Sequence, residues 1–235
     1  MKTLKICDTR IAEPRMSGAR ESIPEALQRY ESLRPTYEGF SRLVRQILTD
    51  KLRERAVRIH SIEARAKSAE SVERKMLRMF EPKRSSYAVE DPLRWVTDLA
   101  AVRVITFFPR TVSEIDAIIR ERFFVLEKDN KSEMLQASGR FGYRSVHYLV
   151  ELPPEEADRP DRERFGGLVA EIQVRTILQH AWAEIEHDTQ YKSVRAMPSS
   201  TRRRLAALAG LLEIADREFQ AIQDEDERNR RHLTV

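Results

Sequence analysis

The stretch "GYRSVHYLV", Gly142 to Val150, sets the reading of this chain. Taken as a strand, its alternate residues fall on two faces. Arg144, Val146, Tyr148 and Val150 form one face, apolar beyond its first residue and suited to packing. Tyr143, Ser145 and His147 form the other, an aromatic ring, a hydroxyl and an imidazole in line. A lone tyrosine in a strand is usually packing, and a lone histidine a satisfied polar group. Three in line add modest weight to a sheet with one dry side and one side that offers chemistry.

Working outward, "LVAEIQVRT" reads as the last strand, with Glu171 and Gln173 on one face and Arg175 continuing it. Upstream, Ala101 to Phe108 is rich in β-branched and aromatic residues and reads as a buried strand. "FFVLEKDN" is a short strand, and the alternation of Val57 to Lys67 predicts another. Between these lie helical patterns: "SAESVERKMLRMF" with Ser68 as its cap, "VSEIDAIIRERF", "ILQHAWAEIEHDTQYK" and "SSTRRRLAALAGLLEIADREFQAIQDEDERN", the last with a frayed tail. From Ile23 onward a long helical segment carries an apolar stripe through Phe40, Leu43, Val44, Ile47 and Leu48. Pro35 predicts a break or kink near Leu33 to Thr36. A polar linker, "KSEMLQASGRFG", precedes the opening stretch. The fold class expected is α+β, a mixed β-sheet of about five strands flanked by helices. The expected organisation is a flexible leader over 1–22, one domain over 23–195 and a helical extension over 196–235.

Composition narrows the function classes. The single cysteine, Cys7, excludes an internal disulfide and a C-x-x-C metal or redox motif. No run of eighteen apolar residues exists and the N-terminus lacks a signal-like apolar core, so a cytoplasmic protein with no membrane association is expected. The net charge is only +4, yet from Lys51 to Arg84 eleven Lys and Arg stand against five Asp and Glu. A local basic segment in a balanced chain points to phosphate recognition at a site, although a solvated helix face accounts for it as well.

Three constellations carry chemistry. In "RAKSAESVERK", Arg65 and Lys67 share a strand face and Ser71 and Lys75 a helix face. Two cations delivered beside a helix N-terminus make a triphosphate cradle, without the glycine-rich loop of a P-loop protein. Next, Asp98 precedes one strand and Glu171 sits within another. A carboxylate in an apolar strand is costly unless it is paired or metal-bound. The pair can hold one Mg²⁺, which takes few protein carboxylates and leaves room for substrate phosphates. Ion pairs Glu171–Arg175 or Asp98–Arg103 account for the spacing equally well. The third constellation is the row Tyr143, Ser145, His147.

Taken in order, "RAKSAESVERKMLR", "DLAAVRVI", "GYRSVHY", "EIQVRT" and "HAWAEIEHDTQYK" resemble the synthetase domain of the RelA/SpoT alarmone family, over roughly Arg65 to Lys192. With no recognisable hydrolase domain, the chain is similar to the small, single-domain synthetases, some of which are toxic. The resemblance implies a nucleotidyltransferase-like fold and transfer of the β,γ-pyrophosphate of ATP to a ribose 3′-hydroxyl, releasing AMP. It implies that Arg65, Lys67, Ser71 and Lys75 grip the ATP phosphates and that Arg103 stands near the adenine or phosphates. Asp98 holds Mg²⁺, and Glu171 joins it or acts as base. Tyr143 stacks on the acceptor base, His147 lies near its phosphates, and Gln173 and Arg175 support. The sequence departs from the family at "QASGRFGYRS", where a Pro-Lys is common and Arg140 can supply the charge, and at Ala101, where the family has glycine.

The acceptor expected is GDP or GTP, giving (p)ppGpp. Toxic members instead modify the 3′ CCA end of tRNA, for which Arg202 to Arg204, the Lys51–Arg58 helix and the leader arginines offer cations. A nucleotide-binding regulator without turnover is the reading from another class. The stripe Leu205, Leu208, Leu211, Leu212 and Ile214 either closes the core or supports a homo-oligomer, a tetramer or dimer as in small family members. An antitoxin partner belongs to the toxic reading.

Overall fold

Helix α1 runs unbroken from Ile23 to Glu54 in the computed structural model, which describes residues 22–79, 91–130, 145–191 and 198–233. Ser22 opens it with a capping box, its hydroxyl accepting from the Glu25 N–H while Glu25 reaches back to the Ser22 N–H. The break expected at Pro35 does not occur. A proline inside a helix costs about 3 kcal/mol. Pro35 and Glu31, whose carbonyl loses its donor, lie on the exposed side, and Tyr30, Phe40, Val44 and Leu48 bury the opposite side on both flanks. Each such side chain contributes roughly 1.5–3 kcal/mol, so one packed stripe outweighs one proline.

Five strands follow: β1 (Ser61–Ala66), β2 (Ala100–Thr106), β3 (Phe124–Asn130), β4 (Val146–Glu151) and β5 (Ala170–Thr176). They form one sheet in the order β1-β2-β5-β4-β3, with β2 and β5 parallel and the other pairs antiparallel. The α+β class and mixed sheet expected from the sequence are therefore present. The strand expected over Val57 to Lys67 is shorter, starting at Ser61.

Register assigns the two faces. Glu63, Arg103, Gln173, His147 and Asp129 form one row across all five strands. Arg65, Ala101, Glu171, Leu149 and Glu127 form the next row on the same side. The opposite side holds Ala100, Val102, Val104, Tyr148, Val150, Ala170, Ile172 and Val174, all fully buried. They pack on Phe40, Val44 and Leu48 of α1 and on Ile115, Ile118 and Ile119 of α3 (Pro109–Arg122). The face division expected of the opening stretch holds for its described residues, Ser145 to Val150; Gly142, Tyr143 and Arg144 lie outside them, as does the linker before them.

A smaller core joins α1, α2 (Ala69–Met79) and the turn before β2 through Ala26, Tyr30, Val72, Met76, Leu93, Val96 and Leu99. A one-turn helix, α4 (Pro154–Ala157), lies between β4 and β5. Beyond β5, α5 (Ile177–Tyr191) lies over the ends of β5 and β2, and α6 (Ser199–Leu233) packs on α5 and α3. Trp182 donates to the Leu205 carbonyl at 3.3 Å, and Arg110 donates to Asp224 at 2.7 Å and Glu227 at 2.8 Å. The tail expected to fray is helical to Leu233. Leu212 packs on the buried pair Trp182 and Ala209, while Leu208, Leu211, Phe219 and Ile222 stay more than half exposed. No helix among the described residues is long and apolar enough to cross a membrane.

Candidate active site

The polar face is built from three adjoining groups. The first centres on Asp98, in the turn ahead of β2. Lys67, just past the end of β1, pairs with its Oδ2, and Lys75 pairs with Oδ1 at 2.7 Å. The backbone explains why these three meet. The Lys67 N–H donates to the Leu99 carbonyl at 2.9 Å, and the buried Tyr30 hydroxyl donates to the Lys67 carbonyl at 2.5 Å. Val72 and Met76 anchor α2 in the smaller core, which presents the Ser71–Lys75 side toward that turn. Burial pushes the Asp98 carboxyl up, but hydrogen bonds and charge from Lys67 and Lys75 outweigh it and hold the group below the usual aspartate range. Neither alternative ion pair, Asp98–Arg103 nor Glu171–Arg175, forms.

The cap on α2 is as expected. Ser68 accepts the Ser71 N–H at 3.3 Å and donates its hydroxyl to Ser71 Oγ at 2.8 Å. Arg65 stays exposed one row from this group, beside Ala101 and in line with Glu171.

The second group is a relay along β4 and β5. Glu171 Oε1 meets His147 Nδ1 at 2.8 Å, and Gln173 Nε2 donates to Oε2 at 2.7 Å. Because an ionised carboxylate only accepts, the proton of this bond lies on Nδ1, and Nε2 stands 2.6 Å from the Ser145 hydroxyl oxygen. Burial raises the Glu171 carboxyl, while the bond and charge of His147 and the Gln173 amide lower it further than that. The charge of Asp98 acts to raise it, which places the two carboxylates within electrostatic reach of each other.

The third group lies farther along the same face, under α5. Arg103 and Arg175 both donate to Glu184 Oε1, at 3.3 Å and 3.2 Å, and His180 Nδ1 stands 3.6 Å from that oxygen. Arg175 is buried, and burial and the Arg103 charge bring its guanidinium down to about 10.

All the sequence-expected site residues that are described therefore come together on one face: Arg65, Lys67, Ser71, Lys75, Asp98, Arg103, His147, Glu171, Gln173 and Arg175. Tyr143 lies outside the described residues. Sequence reasoning gave no role to Ser145, His180 or Glu184. Ser145 stood in the noted polar row, and His180 and Glu184 share an i, i+4 helix face in "HAWAE", a signal indistinguishable from an ordinary solvated helix. Among the described residues, no group of three or more His, Cys, Asp or Glu is placed to hold a metal ion. The Asp98–Glu171 pair fits a hard cation that needs few protein oxygens and completes its shell with phosphate and water.

This assembly sets two lysines and two arginines on one face with one oriented carboxylate, and the comparisons give it a lineage. Residues 64–196 match the model described as a region found in RelA / SpoT proteins, more than half of the chain, so the chain belongs to the RelA/SpoT family. The GTP pyrophosphokinase YwaC of Bacillus subtilis (strain 168) is 26% identical over 167 residues, 71% of this chain and 75% of that protein. The crystal structure of the small alarmone synthetase 1 from Bacillus subtilis shares the fold with a TM-score of 0.68 at 21% identity, covering 86% of this chain and 99% of that one. The same synthetase bound to its product pppGpp gives a TM-score of 0.67 at 22% identity, over 84% and 98% of the two chains.

Proposed function

We propose that this chain transfers the β,γ-pyrophosphate of ATP to the 3′-hydroxyl of GDP or GTP, forming (p)ppGpp and releasing AMP. The observation that carries the reading is Glu171, kept ionised and fixed in direction by His147 and Gln173 within electrostatic reach of Asp98 and its two lysines. Glu171 takes the proton of the acceptor hydroxyl as that oxygen attacks the β-phosphorus. The bond from that phosphorus to the α-phosphate oxygen breaks, and AMP leaves with its electron pair. Lys67, Lys75, Ser71 and Arg65 hold the phosphate chain in line, which supplies most of what phosphoryl-type transfer needs. A positioned carboxylate base adds on the order of a hundred- to ten-thousand-fold. Asp98 and Glu171 are the residues that would hold Mg²⁺, which when bound neutralises charge on the transferring group. Tyr143 serves as the stacking surface for the acceptor base, with His147 toward its phosphates and Gln173 and Arg175 in support.

The test is incubation with ATP labelled on its γ-phosphate and either GDP/GTP or deacylated tRNA. Label on the guanosine nucleotide, with AMP formed, is expected. Label on tRNA alone replaces the reading with that of a toxic family member, for which an antitoxin partner is then sought. ATP bound with no AMP from any acceptor makes the chain a regulator. The exposed stripe on α6 supports a homo-oligomer, which size exclusion with light scattering measures.

A further inference from the structure

We propose that Tyr30, on α1, is a positioning residue for the phosphate-gripping end of the site, its hydroxyl fixing the Lys67 peptide and with it the direction of the Lys67 ammonium. The inference rests on the reading of Lys67 as a ligand of the donor phosphates. It adds a residue from outside 64–196, the span that matches the family model.

Lys67 belongs to no regular element, since β1 ends at Ala66 and α2 starts at Ala69. A residue there takes no orientation from a strand ladder or a helical turn, so its peptide groups have to be held one by one. Its N–H donates to the Leu99 carbonyl at 2.9 Å, and its carbonyl accepts the Tyr30 hydroxyl at 2.5 Å. The ammonium then reaches Asp98 Oδ2. With the backbone fixed at both ends, only the rotamers of a flexible four-carbon stem are left to order when a phosphate arrives. Burial pushes the Tyr30 phenol up to about 12 against the charge of Arg34, with Tyr37 and Asp98 adding to the rise. The oxygen therefore keeps its proton and stays a donor.

Tyr30 can hold Lys67 because it is itself held. It is fully buried, in the smaller core that also contains Val72 and Met76 of α2 and Leu99, whose carbonyl takes the Lys67 N–H. The Tyr37 ring lies beside it, with centroids 5.8 Å apart. Arg29, its neighbour in sequence, pairs at 2.5 Å with Asp91, which accepts the Leu93 N–H at 3.1 Å and so ties α1 to the turn that leads to Asp98. Beyond Pro35 the same unbroken helix packs Phe40, Val44 and Leu48 against the sheet. Helix α1 is thus one arm from the main core to the cation cradle, and Tyr30 is where it meets Lys67. A phenylalanine would fill the same space in the smaller core, so the hydroxyl serves Lys67 rather than packing.

The experiment is isothermal titration of the full chain with α,β-methylene-ATP and, separately, with GDP, for the parent, Tyr30→Phe, Tyr37→Phe, Lys67→Met and Tyr30→Phe/Lys67→Met. Tyr30→Phe is expected to weaken the ATP analogue by about three- to tenfold, the worth of one hydrogen bond, and to leave GDP nearly unchanged. Tyr37→Phe should leave both nearly unchanged. In the Lys67→Met background, adding Tyr30→Phe should cost nothing more, as for two residues acting in series. Unchanged analogue affinity in Tyr30→Phe overturns the proposal. An equal loss for GDP, or an equal loss from Tyr37→Phe, also overturns it, as general loosening of the smaller core. A further loss of the same size in the Lys67→Met background overturns the route through Lys67. The ATP-specific loss in a chain that forms no AMP with any acceptor leaves this inference standing and removes the proposed function; transfer to GDP or GTP without that loss does the reverse.

Discussion

Replacing Asp98 by asparagine removes the anion that pairs with both Lys67 and Lys75, and its cost can be worked from their burial. The three side chains are 19%, 16% and 23% exposed. Stripping one partner from a fully buried ion pair costs about 3–5 kcal/mol, whereas an exposed pair is worth under about 1 kcal/mol. At about one-fifth exposure an intermediate loss of ~2 kcal/mol is expected. For a chain of this size that lowers Tm by roughly 4–8 °C. The dependence on pH identifies the cause. The folded-state pKa of Asp98 is depressed, so its contribution is present above the unfolded aspartate value and fades as pH falls through the folded one. Calorimetric melts of parent and variant should differ most near neutrality and converge as pH falls below the ordinary aspartate range, since the other carboxylates titrate in both. Transfer activity should be lost at neutral pH while the far-UV spectrum stays native. A variant as stable as the parent at neutral pH, or a difference that does not shrink in acid, refutes the account of Asp98. Near-normal transfer refutes its place in the site.

Glu171→Gln should keep the fold and nucleotide binding and lose transfer by about a hundredfold or more, read as AMP release; near-parental turnover contradicts its role as base. His147→Gln retains an amide donor toward Glu171 and should lose less activity than His147→Ala, a graded order that a packing role for this partly exposed ring does not give. Asp216 is buried against Thr176, which donates to it at 2.6 Å, and burial lifts its carboxyl to about 7. The folded state therefore holds the proton more tightly than the unfolded chain, and stability falls as pH rises from about 4 to 7. Asp216→Asn, which still accepts from Thr176, should melt higher than the parent at about pH 8, by up to about 4 kcal/mol of stability, and nearly with it at about pH 4. A parent that is the more stable at alkaline pH refutes this.

The sheet and its two faces were legible because strands have a period of two, and β2 and β5 keep it over their first five residues. Val102 and Val104 alternate with Ala101 and Arg103, and Ile172 and Val174 with Glu171 and Gln173. The carboxylates and the lysines were legible as residue types, but not their pairing. That Asp98 takes Lys67 and Lys75 depends on the smaller core beneath α2, which no local pattern encodes. Pro35 misled because propensity weighs one residue, whereas the α1 stripe is a sum over several buried ones. Glu184 escaped notice since a glutamate on a helix is unremarkable until the fold sets two arginines beneath it.

The strand numbering carries a consequence for which changes this chain can absorb. From β1 to β5, every residue on the reactive side of the paired rows is odd-numbered, although long connections separate the strands. Length changes inside those connections are free of this constraint. A single residue inserted within β2 or β5 would exchange Arg103 with Val102, or Glu171 with Ile172, between water and core. The outermost strand shows what such a slip does. A bulge between Val125 and Glu127 reverses the alternation there, turning Val125 toward the core while Glu127 keeps to the reactive side. It falls on the edge strand farthest from β1, which carries Arg65 and leads into Lys67. Substitutions are thus the open route for tuning this site, and strand-interior insertions or deletions the closed one.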